Sequence, residues 1–179
     1  MIPLETVFVG LVILFGIIGA LRGWAKELLV SFSVILARFI EYVFLVEVPK
    51  LVEVPFQAMA TDPARAKSWF YIRMIVFTVI VAFGYATAVI SRALGERARK
   101  EKFQDTLLGF FLGAINGYLV IGMVWGFLER LNYNIWGITA PAKPNVINFI
   151  EFLPLSWLEG PMLFVAVAVS FAFVLIVFV

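Results

Sequence analysis

The chain has 179 residues, 63% of them hydrophobic, with a mean hydropathy of +1.03 and a net charge of only +2. Soluble domains hold about 45–50% apolar residues, so this composition excludes an ordinary soluble domain and points to about five membrane spans with little else between them. Cysteine and histidine are both absent, which excludes disulfides, thiolate catalysis, Cys-based metal sites, His-ligated haem and the usual neutral-pH proton shuttle; with no long basic run, nucleic acid is not an expected partner.

The opening MIPLE is acidic, and no Ala-x-Ala site follows the first apolar run, so this run reads as a span and not as a cleaved leader. Pro3 suits a first helical turn, where its missing N–H costs nothing. Residues 6–21 are uncharged and make roughly 24 Å of helix, a short first span that Glu5 and Arg22 complete by snorkelling. Gly16, Gly19, Ala20 and Gly23 share one face of it. Arg22-Gly23-Trp24 then reads as a tight turn with its Trp at the membrane interface.

Residues 28–46 form the second predicted span, interrupted by Arg38 and Glu41. Arg38 falls about 15 Å beyond Leu28, near mid-membrane on this reading, where a charge is expensive unless it is paired or wet. The i, i+3 spacing lets Arg38 and Glu41 meet on one helix. Glu27, Ser31, Arg38, Glu41 and Tyr42 lie on one stripe, which must face protein, water or a ligand. An internally neutralised pair tying helices together, a polar path and a helix that ends early all fit that pattern.

Residues 47–68 hold three prolines and mixed charges and read as a loop with interfacial pieces. Asp62-Pro63 supplies an N-cap and first-turn pair for the third span, 69–94, where Gly84, Ala88, Ser91 and Gly95 make a further small-residue face. The run from Arg92 to Lys102, with five basic residues, reads as a solvated loop in contact with anionic lipid.

The fourth span, 106–128, has no charge after Asp105. Gly109, Gly113 and Gly117 recur every four residues and drift by only about 40° per step, so they share a face with Asp105 and Asn116. A helix in lipid gains nothing by hiding Leu, and rows of Gly are how it approaches a partner closely. The Gly16/Gly19/Gly23 face is the expected partner, with a pore or ligand groove as the other use of such a row. Residues 145–158 are expected to lie in the interface as a short helix broken at Pro154, and 161–179 read as a fifth span. The architecture expected is an all-α polytopic bundle in one membrane domain. Arg22, Lys26 and the basic residues of 92–102 crowd into short segments at helix ends, which places the N-terminus outside and the C-terminus inside.

Two segments resemble the colicin V production protein (CvpA) family. GLVILFGIIGALRGWAKELLVSFSVILARFI is similar to that family's opening hairpin, and FQDTLLGFFLGAINGYLVIGMVWGFL to its Asp-x-Leu-Leu-Gly span after a basic loop. Arg22, Gly23, Glu27, Asp105, Gly109, Gly113 and Gly117 hold the matching positions. The chain departs from the family's pattern at Asn116, where Arg is frequent, at Arg38 and Glu41 in a normally apolar helix, and in having five spans where four are usual. The resemblance implies a multi-pass protein of the bacterial inner membrane, associated with peptide-toxin export or envelope processes, and no enzymatic mechanism.

Motif by motif, the chain also lacks G-x-S-x-G, H-E-x-x-H and a phosphate-binding Gly-Lys-Ser/Thr loop. The residues therefore favour a non-enzymatic scaffold, an accessory subunit of a larger energy-transducing (respiratory or photosynthetic) or export-related complex, with other membrane subunits and lipids as partners. A small transporter using the Glu27–Ser31–Arg38–Glu41 stripe and the Asp105/Asn116 face is the alternative. No cofactor is expected beyond lipid or a carotenoid-like pigment packed on the surfaces that nineteen Phe residues provide.

Overall fold

The uncharged run after Glu5 winds into α1, Leu4–Arg22, and a single residue separates it from α2, Trp24–Tyr42. That residue is Gly23, at φ +88° and ψ 154°, a conformation that any side chain would strain. Its N–H closes α1 on the Gly19 carbonyl at 2.9 Å. The computed structural model describes residues 3–44, 63–90 and 102–178. Within them follow α3, Pro63–Ile90, and α4, Lys102–Arg130, both long enough to cross a bilayer. An irregular stretch then leads to α5, Pro144–Ile150, and α6, Pro154–Trp157, each opened by a proline in its first turn. α7 is Gly160–Phe178.

By length and apolar character, Leu4–Arg22, Ala66–Ala86 and Phe103–Arg130 qualify as membrane spans, and Gly160–Phe173 is a shorter apolar helix. α2 lies outside that group because Lys26, Glu27, Arg38 and Glu41 sit within it. The helices run through charges at which the predicted spans were cut: α2 starts at Trp24, before residue 28, and α4 extends to Arg130. Pro63–Ser68, read above as the end of a loop, belongs to α3. The break expected at Pro154 falls instead at 151–153, and Pro154 begins α6. The predicted 92–101 loop, Asp62, Ser91 and Gly95 lie outside the described residues.

α1 lies along α4, and α2 packs on α3, α4 and α7. Val30, Val34 and Ala37 of α2 are fully buried, as are Phe77 of α3 and Met123 and Phe127 of α4. α1, by contrast, buries only Phe8, Gly16 and Gly19. The α1–α4 contact is backbone to backbone. A methyl group on Gly113 would stand 2.8 Å from the Gly19 Cα, one on Gly109 2.5 Å from the Gly19 carbonyl oxygen, and one on Gly117 2.6 Å from the Phe15 Cβ. Gly16 meets a side chain, the Phe110 ring, and Gly84 of α3 receives Ser33 of α2.

A second row on α4, absent from the sequence reading, seats α6: Gly122 lies under Pro154 and Gly126 under Leu155. At the same end Phe8 packs edge-on against Trp125 and Phe149, with ring centroids 5.3 and 5.5 Å away. The Trp125 indole N–H donates to the Tyr133 hydroxyl at 3.1 Å. Burial pushes that phenol above its usual range, and the indole donor opposes the shift.

Gly113→Ala is expected to push α1 off α4 and to cost about 1–3 kcal/mol, the range for overpacking a filled site. Gly10→Ala, whose methyl group meets nothing within 4 Å, is expected to be neutral or slightly stabilising. Thermal unfolding of both variants in one detergent compares them directly, and equal losses would contradict the close-approach account.

Candidate functional site

α2 carries two polar clusters, separated by the apolar section Val30, Val34 and Ala37. The first lies at the Gly23 turn. Because Gly23 has no side chain, the Asp105 carboxylate of α4 reaches the first turn of α2, where Oδ1 accepts the Trp24 N–H at 3.1 Å. The N–H groups of a first helical turn have no partner within the helix and carry its positive end, so a carboxylate there is doubly favourable.

One turn further on, Glu27 is buried between α2 and α4. Its Oε1 accepts from the Arg22 guanidinium at 2.7 Å and its Oε2 from the Asn116 amide at 2.9 Å. The same amide donates to the Glu27 carbonyl at 2.8 Å, and the Asn116 side-chain oxygen accepts from the Ser31 hydroxyl at 2.7 Å. Arg22 also donates to the Tyr85 carbonyl at 3.3 Å and stacks over the Tyr85 ring, 4.5 Å from its centroid. Every polar atom of Glu27 and Asn116 therefore has a partner within the chain, which makes this a closed network. Burying an isolated carboxylate would be prohibitive; the guanidinium and the amide offset that.

The second cluster lies at the opposite end of α2. Arg38 and Glu41 are both buried and form an ion pair through Arg38 Nη1. Arg38 Nε donates to the Leu158 carbonyl at 3.0 Å, and the guanidinium lies 5.5 Å from the Tyr42 ring centroid. Glu159 Oε2 is 3.7 Å from Arg38 Nη2 and 3.3 Å from Arg130 Nη2. Arg38 is thus level with the last residue of α4 and not midway along the bundle, as its sequence position suggested. From α3, Arg73 Nε approaches Glu41 Oε1 to 3.6 Å, and neither of these buried atoms has a hydrogen-bond partner. A groove of about 570 Å3, lined by residues such as Leu4, Val7, Trp136 and Ile138, opens at this same end and is bridged by a Lys143–Glu5 ion pair at 2.8 Å.

The structure therefore divides the predicted stripe. Glu27 and Ser31 join Asn116, with Asp105 close by at the turn, while Arg38 and Glu41 form a separate group. Arg22, Tyr85, Arg73, Arg130 and Glu159 complete the two clusters and were absent from the predicted polar set. Arg22 reads as a boundary marker, and nothing in local spacing links Arg130 to Glu159. Hydroxyls are occupied as well: Ser33 donates to the Val30 carbonyl at 2.7 Å and Ser156 to the Ile150 carbonyl at 3.2 Å. Among the described residues no group of three or more His, Cys, Asp or Glu is placed to hold a metal ion.

A model of the colicin V production protein family matches residues 4–151, which runs from the first residue of α1 to just past α5. No curated protein and no solved structure matches the chain.

Asn116→Ala removes three hydrogen bonds worth about 0.6 kcal/mol each in a bilayer, roughly 2 kcal/mol together. Glu27→Gln leaves Arg22 without its carboxylate and is expected to cost more, about 3–5 kcal/mol. Unfolding by SDS titration ranks the two; the reverse order would show that the amide, and not the ion pair, holds α2 against α4.

Proposed function

This chain belongs to the colicin V production protein family, and from that premise we propose that it works as a non-enzymatic membrane scaffold, an accessory subunit of a larger assembly of the energy-transducing or export-related kind. The family is not a known enzyme family, and it is a membrane protein family. In this reading the chain sits in the bacterial inner membrane with its N-terminus outside and its C-terminus inside, and it holds no cofactor beyond lipid or a carotenoid-like pigment packed on its apolar surfaces.

The observation that carries the reading is the outward-facing apolar helix α7. Among its described side chains only Leu163 is buried, and Val165, Val169, Phe171 and Ile176 are all exposed. α7 rests mainly on α2, through Phe164 against Phe39 and Tyr42 and through Phe173 against Phe32. A helix attached along one side offers the other side for helix–helix contact, and the closed Glu27–Asn116 network takes no partner from outside the chain. Gentle-detergent purification from native membranes, with native gel mobility and mass spectrometry of what co-migrates, is expected to recover a stoichiometric membrane complex. A lone monomer or homo-oligomer would count against this function.

One observation favours a transport role instead. Glu41 Oε1 and Arg73 Nε face each other at 3.6 Å, buried and without hydrogen bonds; Arg73 lies in the candidate span Ala66–Ala86, and an ionisable group within a span marks an ion or solute path by default. Glu41→Gln separates the readings. A conducting site would lose flux while the fold persists. For a scaffold, the expected outcome is a lowered unfolding temperature, because the Arg38 guanidinium loses its charge partner.

A further inference from the structure

Glu159 closes the far end of α2 in an unusual way. A single oxygen, Oε2, serves two guanidiniums from different helices, at 3.3 Å from Arg130 Nη2 and 3.7 Å from Arg38 Nη2. Two parallel N–H···O bonds from one guanidinium to both carboxylate oxygens are the favoured geometry for such pairs, and neither Arg has them here. Of the two contacts only that from Arg130 is a hydrogen bond; the Arg38 contact is an ion pair without one. A phosphate group has more oxygens, spread over a larger tetrahedron, and could satisfy both.

The surrounding residues leave these nitrogens available. Arg38 uses Nη1 for Glu41 and Nε for the Leu158 carbonyl, so Nη2 is the nitrogen aimed at the rim. The Arg38 side chain is 1% exposed, whereas Glu159 is 50% and Arg130 38% exposed. Glu159 therefore covers Arg38, and its exposed ion pair with Arg130 is of a kind that is weak and readily displaced. The depth also fits. Arg130 is the last residue of α4, and the apolar helix α7 starts one residue after Glu159, and helix ends are where spans meet headgroups.

We propose that Arg130 and Arg38 form a phosphate site for the headgroup of an anionic phospholipid, and that Glu159 occupies this site as an internal competitor. Both arginines lie within the family match, while Glu159 lies beyond it, so the stretch after α5 supplies the competitor. The site is complete within this chain and needs no partner subunit.

The test is native mass spectrometry of the detergent-solubilised full chain, titrated separately with short-chain phosphatidylglycerol, short-chain phosphatidylcholine and inorganic phosphate. The natural chain is expected to prefer phosphatidylglycerol. Glu159→Gln should tighten that binding by about two- to fivefold, the size of an exposed ion pair, and Arg130→Gln should abolish the preference in either background. Inorganic phosphate binding with the same dependence on Glu159 and Arg130, with no binding of phosphatidylglycerol, would keep the phosphate site and remove lipid as its source. Equal binding of the two lipids, or no response to either substitution, overturns the proposal. If Glu159→Gln fails to fold, Arg130→Gln alone decides, since loss of its guanidinium must weaken phosphatidylglycerol binding by the natural chain.

Discussion

Lipid cannot solvate a charge, and α2 carries Lys26, Glu27, Arg38 and Glu41 in nineteen residues. That constraint organises the bundle. α2 is the helix enclosed by α3, α4 and α7, and it buries Glu27, Arg38 and Glu41. The neighbours do more than exclude lipid: α4 brings Asn116 to Glu27, α1 ends in the Arg22 that pairs with it, and α3 brings Arg73 toward Glu41. A buried charge whose partner is removed costs several kcal/mol, so these pairings fix which helices can lie beside α2 and in what register.

α1 obeys a different rule. It has no charge between Glu5 and Arg22 and shows most of its large residues outward. The hydrophobic effect gives it no reason to leave lipid, and close van der Waals approach takes over. Gly19 against Gly109 and Gly113 brings two backbones into contact, and the one-residue turn at Gly23 sets α1 beside α2 at the same time. Asp105 ties the two devices together, because its carboxylate fits against Gly23 and caps α2.

The two ends of α2 differ in how completely they are satisfied. At the turn, carboxylate, guanidinium, amide and hydroxyl are mutually paired with good geometry. At the far end the match is looser, with one Glu159 oxygen shared between two arginines and Glu41 Oε1 left without a hydrogen bond. Closure there depends on α6, seated on Gly122 and Gly126, which carries the Leu158 carbonyl to Arg38. The stretch from Pro154 onward thus completes a cluster whose other members lie within the family match.

Much of this was legible in the residues alone, because a bilayer imposes simple rules. Long uncharged runs must be helices that satisfy their own backbone, so the all-helical membrane bundle and the family resemblance could be read directly. The four-residue Gly spacing in 106–128 and the Arg22-Gly23-Trp24 turn are local patterns of the same kind. What local spacing could not supply was depth and partnership across the chain. Arg38 is placed at mid-span by counting residues from Leu28, yet its level is fixed by Leu158 and Glu159, more than a hundred residues away. Glu27 and Arg38 share a stripe of one helix, and only the neighbours contributed by α1, α3, α4 and the segment before α7 divide them into a closed network and a looser one. Sequence determines which residues must avoid lipid; the tertiary structure decides what each of them meets, because a charge is satisfied by groups close in space and not by those close in the chain.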